Sequence, residues 1–448
     1  MSFIFRPLYW FYRVLSGLRY WALRRFTRAG LAVVAAVAVA SVLGLDPENS
    51  VGYQGFTLLC GLVLVAMLFG FRFKPRFMAE RLLPRFGTAG RPFTYRVTVR
   101  NLTARTQTGL ALLESLADPR PTFQQWRDFK LDEDRHVRPF RFSERRFGNP
   151  FRRVAVREGA LPPVPPKQQV EIALELTPLR RGLVRFAGVT LARPDPLGLF
   201  RALQRIPLPQ SVLILPRRYP LPPIPLPGAM KYQQGGVALA ANIGQSDEFV
   251  SLRDYKRGDP PRHIHWRSWA RTGKPIVKEF EDEFFVRHAL VLDTFTERPH
   301  SEAFEEAVSV AASFACTALT QESLLDLMFV GPEAYCFTAG RGLAHADQML
   351  EVLASVQPCR ERTFEVLESL VMNHVSAVSG CICVLLAWDE PRRRFVEKLK
   401  MLGLPVLVLV IRAPGDASSL EPGPMRDAPQ HLRALEIGRI EEQLASLA

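Results

Sequence analysis

Cysteine is scarce in this chain: Cys60, Cys316, Cys336, Cys359, Cys381 and Cys383 are spread over 448 positions with no CxxC pair. That pattern excludes a disulfide scaffold and a cysteine-built zinc site, and it makes reduced thiols the default. GxSxG, Walker A, GxGxxG and HExxH are all missing, so the usual signatures of nucleophile elbows, P-loops, dinucleotide folds and zincins are absent. The cysteines sit in apolar runs, where thiolates are disfavoured. Glycine (29) falls below proline (36), which favours stiff linkers and β-rich parts over a helical bundle. Acid is absent from residues 1–28, which carry six arginines.

What is present starts with a net charge of +14, and its placement matters more than its sum. Residues 1–28 contribute +6, and residues 72–85, with four Arg and one Lys against Glu80, contribute +4. Between these basic flanks lie two uncharged apolar stretches, Ala29 to Leu45 and Tyr53 to Phe71, of 17 and 19 residues. At about 1.5 Å per helical residue, each covers most or all of a hydrocarbon core of about 30 Å. They read as a transmembrane hairpin over residues 29–71. Its short acidic connection (Asp46, Pro47, Glu48) and basic outer flanks place the bulk of the chain in the cytoplasm. A signal peptide fits less well, because a second apolar run follows at once. The basic, aromatic segment 1–28 either lies on the inner leaflet, rings in the interface and arginines toward phosphate, or is a solvated tail.

Hydrophobic residues at 48% and charged residues at 23% exclude a mainly disordered chain, and the length fits two or three folded units. Strand-length pieces at 93–100, 169–176, 182–191 and 211–215, separated by turn residues, predict an antiparallel β-sandwich over 86–216. Its loops are basic, notably Arg141 to Arg153, but no stacking platform or recognition helix accompanies them, so nucleic acid is not an expected partner. A Pro/Gly-rich linker spans 217–245, and a dense polar segment follows at 246–283. From 284 to 448, apolar strands alternate with amphipathic helices, which predicts a doubly wound α/β domain. Expected strands cover 289–293, 324–330, 334–338, 381–387 and 406–411. Expected helices run from a Ser301 cap, near 345–356, near 364–375 and over 392–402. Asp293 and Asp389 each fall just after an apolar strand, at the edge where such sheets bind ligands.

Residues of the polar segment carry a resemblance. Asp247-Glu248-Phe249, Leu252-Arg253-Asp254-Tyr255, Gly258-Asp259, Arg262, Ile264-His265-Trp266, Ala270-Arg271-Thr272-Gly273 and Lys278-Glu279 resemble the signature of the bacterial family catalogued as domain of unknown function 58. Arg181-Gly182 and Asp195-Pro196-Leu197-Gly198-Leu199-Phe200 are similar to that family's prelude, and the paired apolar spans fit as well. The resemblance covers roughly residues 29–411. It implies a von Willebrand factor A-like domain and a MoxR-type AAA+ ATPase as partner. The implied role is a membrane-anchored cytoplasmic interaction or adaptor protein, not an enzyme, that works with the ATPase in remodelling or maturation of a client protein. One departure is His265, where the family commonly has an acid.

A von Willebrand-type metal site needs Asp-x-Ser-x-Ser, whose carboxylate and hydroxyl oxygens suit a hard cation such as magnesium. This chain has Asp293-Thr294-Phe295-Thr296-Glu297, which leaves Asp293, Thr296 and Asp389 as candidate ligands of a degenerate Mg2+ site. The alternative is that the two aspartates cap helices or bond loop amides. Glu248, Phe249, Arg253, Asp254, Tyr255, Gly258, Asp259, Arg262, Trp266, Arg271 and Glu279 are the candidate interaction residues, either a partner-facing groove or an ion-pair network pinning a loop. The rival enzymatic reading is a membrane-bound zinc-dependent hydrolase in which His263 and His265 share one face of a strand, with Asp259 or Glu248 as third ligand.

Overall fold

A computed structural model of the chain describes residues 2–43, 50–71, 73, 76–117, 120–136, 152–222, 249–256, 261, 264–280, 287–298, 301–320, 324–339, 343–415 and 420–447. The chain divides into two compact units: residues 1–217 with 298–300, and residues 218–297 with 301–448.

The first unit opens with α1 (Ser2–Arg25), α2 (Arg28–Leu43) and α3 (Ser50–Phe71). Helices α2 and α3 pack on each other. Among the described residues one helix is long and apolar enough to cross a bilayer, α3 over Gly52–Gly70, whereas the apolar part of α2, Arg28–Val42, is shorter. The segment expected to connect the spans lies outside the described residues except Ser50. Neither expectation for residues 1–28 included what α1 does: its Tyr9 and Tyr12 rings close on Trp126, 5.7 and 5.9 Å away.

Strands β1 (Phe77–Leu82), β2 (Phe86–Thr88), β3 (Phe93–Asn101) and β4 (Ala111–Leu116) lead to a helix, α4 (Phe123–His136). Then come β5 (Val154–Val156), β6 (Gly159–Ala160), β7 (Gln169–Pro178), β8 (Gly182–Pro194) and β9 (Arg201–Leu215). They form two sheets, ordered β1-β3-β7-β5 and β2-β9-β8-β4-β6. All pairs are antiparallel except β2 with β9. Period-two alternation explains the packing: along β3, Tyr95, Val97 and Val99 are buried while Thr94, Arg96 and Arg100 face water. The buried set meets Val184, Phe186, Val189 and Leu191 of β8 and Ile214 of β9 in one core shared by both sheets. The strands begin at Phe77 rather than at 86.

A fully buried ion pair lies inside this core. Arg81 donates through Nη2 to Glu114 Oε2 at 2.7 Å and through Nε to Oε1 at 3.1 Å. Tyr95 donates its hydroxyl to the same carboxylate at 2.8 Å. Burial pushes the Glu114 carboxyl above its ordinary range, against the pull of Arg81.

The second unit begins with β10 (Phe249–Asp254), α5 (Trp266–Thr272) and β11 (Ile276–Phe280). Next come β12 (Arg287–Leu292), α6 (Glu302–Thr320), β13 (Leu324–Val330), β14 (Ala334–Ala339), α7 (Leu343–Ser355), α8 (Phe364–Met372) and β15 (Gly380–Leu385). The chain finishes with α9 (Glu390–Met401), β16 (Val406–Arg412), β17 (Leu432–Glu436) and α10 (Ile440–Ala445). Six strands form one sheet, β14-β13-β12-β15-β16-β17, parallel except for the β13–β14 pair.

The chain therefore winds one way from β12 and then back past it. The crevice between β12 and β15 is the topological switch point, the place where such sheets bind ligands. Ala289, Val291, Cys381, Cys383 and Val408 pack on one face with Phe364 and Leu367 of α8 and Phe395 and Leu399 of α9. On the alternate register Leu290, Leu292, Leu327 and Ile382 are also buried, and α6 lies against β12, β13, β15 and β16. Ser301 caps α6 as its position predicts, its Oγ accepting from the Phe304 amide at 3.2 Å. Helices thus cover both faces, which is why these strands read as unbroken apolar runs.

His288 is the odd residue in β12: it is buried, and its Nδ1 has no hydrogen-bond partner among the described residues. Burial pulls its pKa down from 6.5 to about 4. Because the folded value is depressed, the unfolded chain binds the extra proton between about pH 6.5 and pH 4. Stability is therefore full above 6.5 and falls through that window, by at most about 3 kcal/mol. His288→Leu should flatten this part of the acid limb when melting of the full-length protein is followed from neutral pH to pH 4.

Candidate functional site

Three clusters carry the polar residues singled out in the sequence. The first is the signature segment. Strands β10 and β11 pair antiparallel, with Arg253 opposite Val277 and Asp254 opposite Ile276. The turn is completed where Tyr255 N donates to Pro275 O at 3.0 Å and His265 N donates to Ile276 O at 2.8 Å. Between the strands sits α5, which ends at Gly273 in the left-handed region (φ 69°), where a side chain would be strained. The Thr-Gly of the signature is thus a helix stop that returns the chain to β11. Trp266 and Trp269 stack at 5.3 Å with an interplanar angle of 19°. Trp266 is 62% exposed, and Leu252, Asp254, Tyr255, Arg267 and Arg271 are exposed as well. The segment is therefore a small β-helix-β unit with an aromatic and basic surface.

Phe249 and Glu279 lie in the paired strands, whereas Glu248, Gly258, Asp259, Arg262 and His263 lie outside the described residues. The strand geometry assumed for a zinc pair does not hold at His265. That residue stands at the N-cap of α5, and its Nδ1 is 2.6 Å from Ser268 Oγ. The local cause is the helix that begins at Trp266, directly after His265, which leaves Ile264 as an isolated bridge to Val277.

The second cluster occupies the switch point. Asp293 follows β12 and is fully buried, with Oδ1 accepting from Phe295 N at 3.0 Å and Oδ2 from Leu386 N at 2.9 Å. Asp389 caps α9, its carboxylate accepting from the Arg392 amide. The guanidinium of Arg392 lies between the two carboxylates: Nε donates to Asp293 Oδ2 and Nη1 to Asp389 Oδ2, both at 2.6 Å. Burial works against the charge on Arg392, but the two aspartates outweigh it and raise the guanidinium pKa. The face of Phe364 covers the group at 5.0 Å. Asp293 and Asp389 thus meet around an internal cation, while each also caps a helix or accepts loop amides, and a magnesium ion there would have to displace Arg392. Thr294 is buried and donates its hydroxyl to Val330 O, and Thr296 is half-buried. Among the described residues no group of three or more His, Cys, Asp or Glu is arranged to hold a metal.

Sequence reasoning missed Arg392. Its signal was local, an Asp389-Glu390-Pro391 helix start with arginine at the third helical position, within reach of its own cap.

The third cluster explains the Asp195-to-Phe200 motif. Asp195 is buried and accepts three backbone amides: Leu197 N at 2.8 Å, Leu199 N at 2.7 Å and Phe200 N at 2.6 Å. Gly198 takes a left-handed conformation, and the loop presents Leu199 and Phe200 to the feet of α2 and α3. Thr27 donates to Gly198 O, and Phe26 pairs with Phe200. Gly30 lies so close that a Cβ there would come within 1.9 Å of Leu199 O. The motif is a latch joining the sheets of the first unit to its apolar helices.

Comparison with known proteins agrees with the signature. Residues 251–412 match the model of the family described as protein of unknown function DUF58. The chain is also similar to the uncharacterized protein YeaD of Bacillus subtilis, at 29% identity over 192 residues. Those residues are 42% of this chain and 46% of YeaD, so the match spans about half of that relative. Solved structures with local likeness include the CARDB domain of PF1109 from Pyrococcus furiosus, at 11% identity, 31% of this chain, 94% of that one and a TM-score of 0.16. Another is Salmonella alpha-2-macroglobulin reacted with methylamine, at 15% identity, 39% of this chain, 9% of that one and a TM-score of 0.19. Likenesses at these scores support no inference about this chain.

Proposed function

Taking residues 251–412 as a member of the DUF58 family, we propose that the protein is a membrane-anchored adaptor that presents its β10–α5–β11 surface to a cytoplasmic protein. The observation that carries this reading is the Trp266–Trp269 stack, in which Trp266 is exposed, together with the exposed Arg267 and Arg271, the kind of aromatic and arginine surface that dominates binding energy at interfaces. The anchor is the α2–α3 pair, both helices crossing an inner membrane, with the basic flanks on the cytoplasmic side. The strand order of the second unit and its single antiparallel strand support a von Willebrand factor A-like domain. On that reading Arg392 stands where such domains hold their ion, so docking does not depend on a metal. The partner implied by the family resemblance is a MoxR-type AAA+ ATPase, and together they remodel or mature a client.

The test is co-purification of full-length protein from native membranes with and without ATP. An AAA+ ATPase should be retained by the native chain and lost from the Trp266→Ala, Arg271→Ala double variant. These side chains are exposed, so unfolding should shift by no more than about 0.5 kcal/mol. Failure to recover any ATPase with the native chain would overturn the adaptor reading.

A further inference from the structure

Helix α1 has two unlike faces. On one, Phe5, Tyr9 and Tyr12 close on Phe123 and Trp126 of α4, with ring centroids 5.4–6.4 Å apart. Tyr9 donates its hydroxyl to Pro121 O at 2.9 Å, and Arg24 donates to Glu114 O at 2.9 Å. This face is fixed to the sheets. On the other face Trp10, Val14, Leu18 and Trp21 follow one another at helical spacing, with Phe11 and Leu15 beside them, and all six are 43–66% exposed. A stripe this wide and continuous exceeds what a helix leaves in water. Arg6, Arg13 and Arg19 are also exposed along the helix, and residues 1–28 contain no acid.

We infer that α1 lies in the plane of a phospholipid surface, with the Trp10–Trp21 stripe in the acyl boundary and its arginines at headgroup phosphates, so that α4 and the sheets are held against the membrane. A protein occupant would need acids opposite every arginine and an apolar groove the full length of the helix. A bilayer interface supplies both at once, and tryptophan favours that depth. Continuity points the same way: α1 runs through Phe26 and Thr27 directly into α2, so the stripe starts where the apolar helices start. The inference rests on the anchored reading of α2 and α3.

The tryptophans make the test direct. Of six in the chain (Trp10, Trp21, Trp126, Trp266, Trp269 and Trp388), none lies in α2 or α3. Full-length protein is placed in vesicles of phosphatidylcholine with a minority of phosphatidylglycerol, brominated either just below the carbonyls or at the chain ends. The shallow bromines should quench fluorescence, and the Trp10→Phe, Trp21→Phe double variant should lose that quenching. Each single variant should report the same depth for the tryptophan that remains. A helix crossing the bilayer would separate the two rings by about 16 Å along its axis, so unequal depths would overturn the in-plane placement. Protein that floats with the vesicles but is not quenched would overturn it while leaving the anchor intact. Protein that does not float would remove the anchored reading and this inference with it.

Discussion

Arg392→Ala is expected to destabilise the second unit by about 3–5 kcal/mol, the range for removing one partner of a buried ion pair. The cost comes less from the lost bonds than from what remains, because Asp293 has no exposure to water and, among the described residues, keeps two amide donors, Phe295 N and Leu386 N. Its charge would then be buried without a counterion at the junction of β12 and β15. Unfolding of the full-length protein in detergent, followed by far-ultraviolet circular dichroism, measures the loss. Pairing Arg392→Met with Asp293→Asn should recover most of it, since removing both charges together leaves none stranded. Magnesium provides a second readout. The native chain should melt at the same temperature with and without it, whereas Arg392→Ala leaves Asp293 and Asp389 facing an empty volume and should be partly restored. A magnesium response in the native chain would mean that the guanidinium is not what holds the two carboxylates together.

The contrast between Asp293 and Arg392 shows what the sequence could and could not disclose. Strands β12, β13, β15 and β16 were legible because a strand buried on both faces is apolar at every position, and Asp293 stood out as the first polar residue after one. Arg392 did not stand out, because an arginine on a basic helix reads as solvated surface, and only the fold brings it 2.6 Å from a residue 99 positions earlier. Helix α4 was missed for the opposite reason. Its sequence, FQQWRDFKLDEDRH, is highly charged, and the residues that matter, Phe123 and Trp126, are covered by α1 rather than by their own sequence neighbours. Strand β17 and helix α10 follow a Pro/Gly-rich stretch and are short, so neither has enough period to register. His265 was misplaced because alternation over a few residues does not distinguish a strand from the residue that caps a short helix.

The Asp195 motif was visible as a string of residues, but its role depends on a contact between segments far apart in the chain, and it yields the second large expected effect. Asp195→Ala removes the acceptor for Leu197, Leu199 and Phe200 amides, of which the last two are buried. A buried donor left without a partner costs about 1–3 kcal/mol, so the variant should lose on the order of 4 kcal/mol. Asp195→Asn should lose less, because one side-chain oxygen can still serve Leu199 and Phe200 while Leu197 goes without. Hydrogen exchange of the full-length protein in detergent resolves the two: protection at Leu199 and Phe200 should vanish in the alanine variant and persist, reduced, in the asparagine variant. Gly30→Val attacks the same joint from the helix side. The added carbon meets a backbone oxygen at 1.9 Å, which has no rotamer by which to move away. It should open the joint without touching the Asp195 bonds, so Thr27, whose amide donates to Leu199 O, should lose protection while the β8–β9 ladder keeps it. Unchanged protection at Thr27 in both Asp195→Ala and Gly30→Val would mean that the loop does not bind the helices.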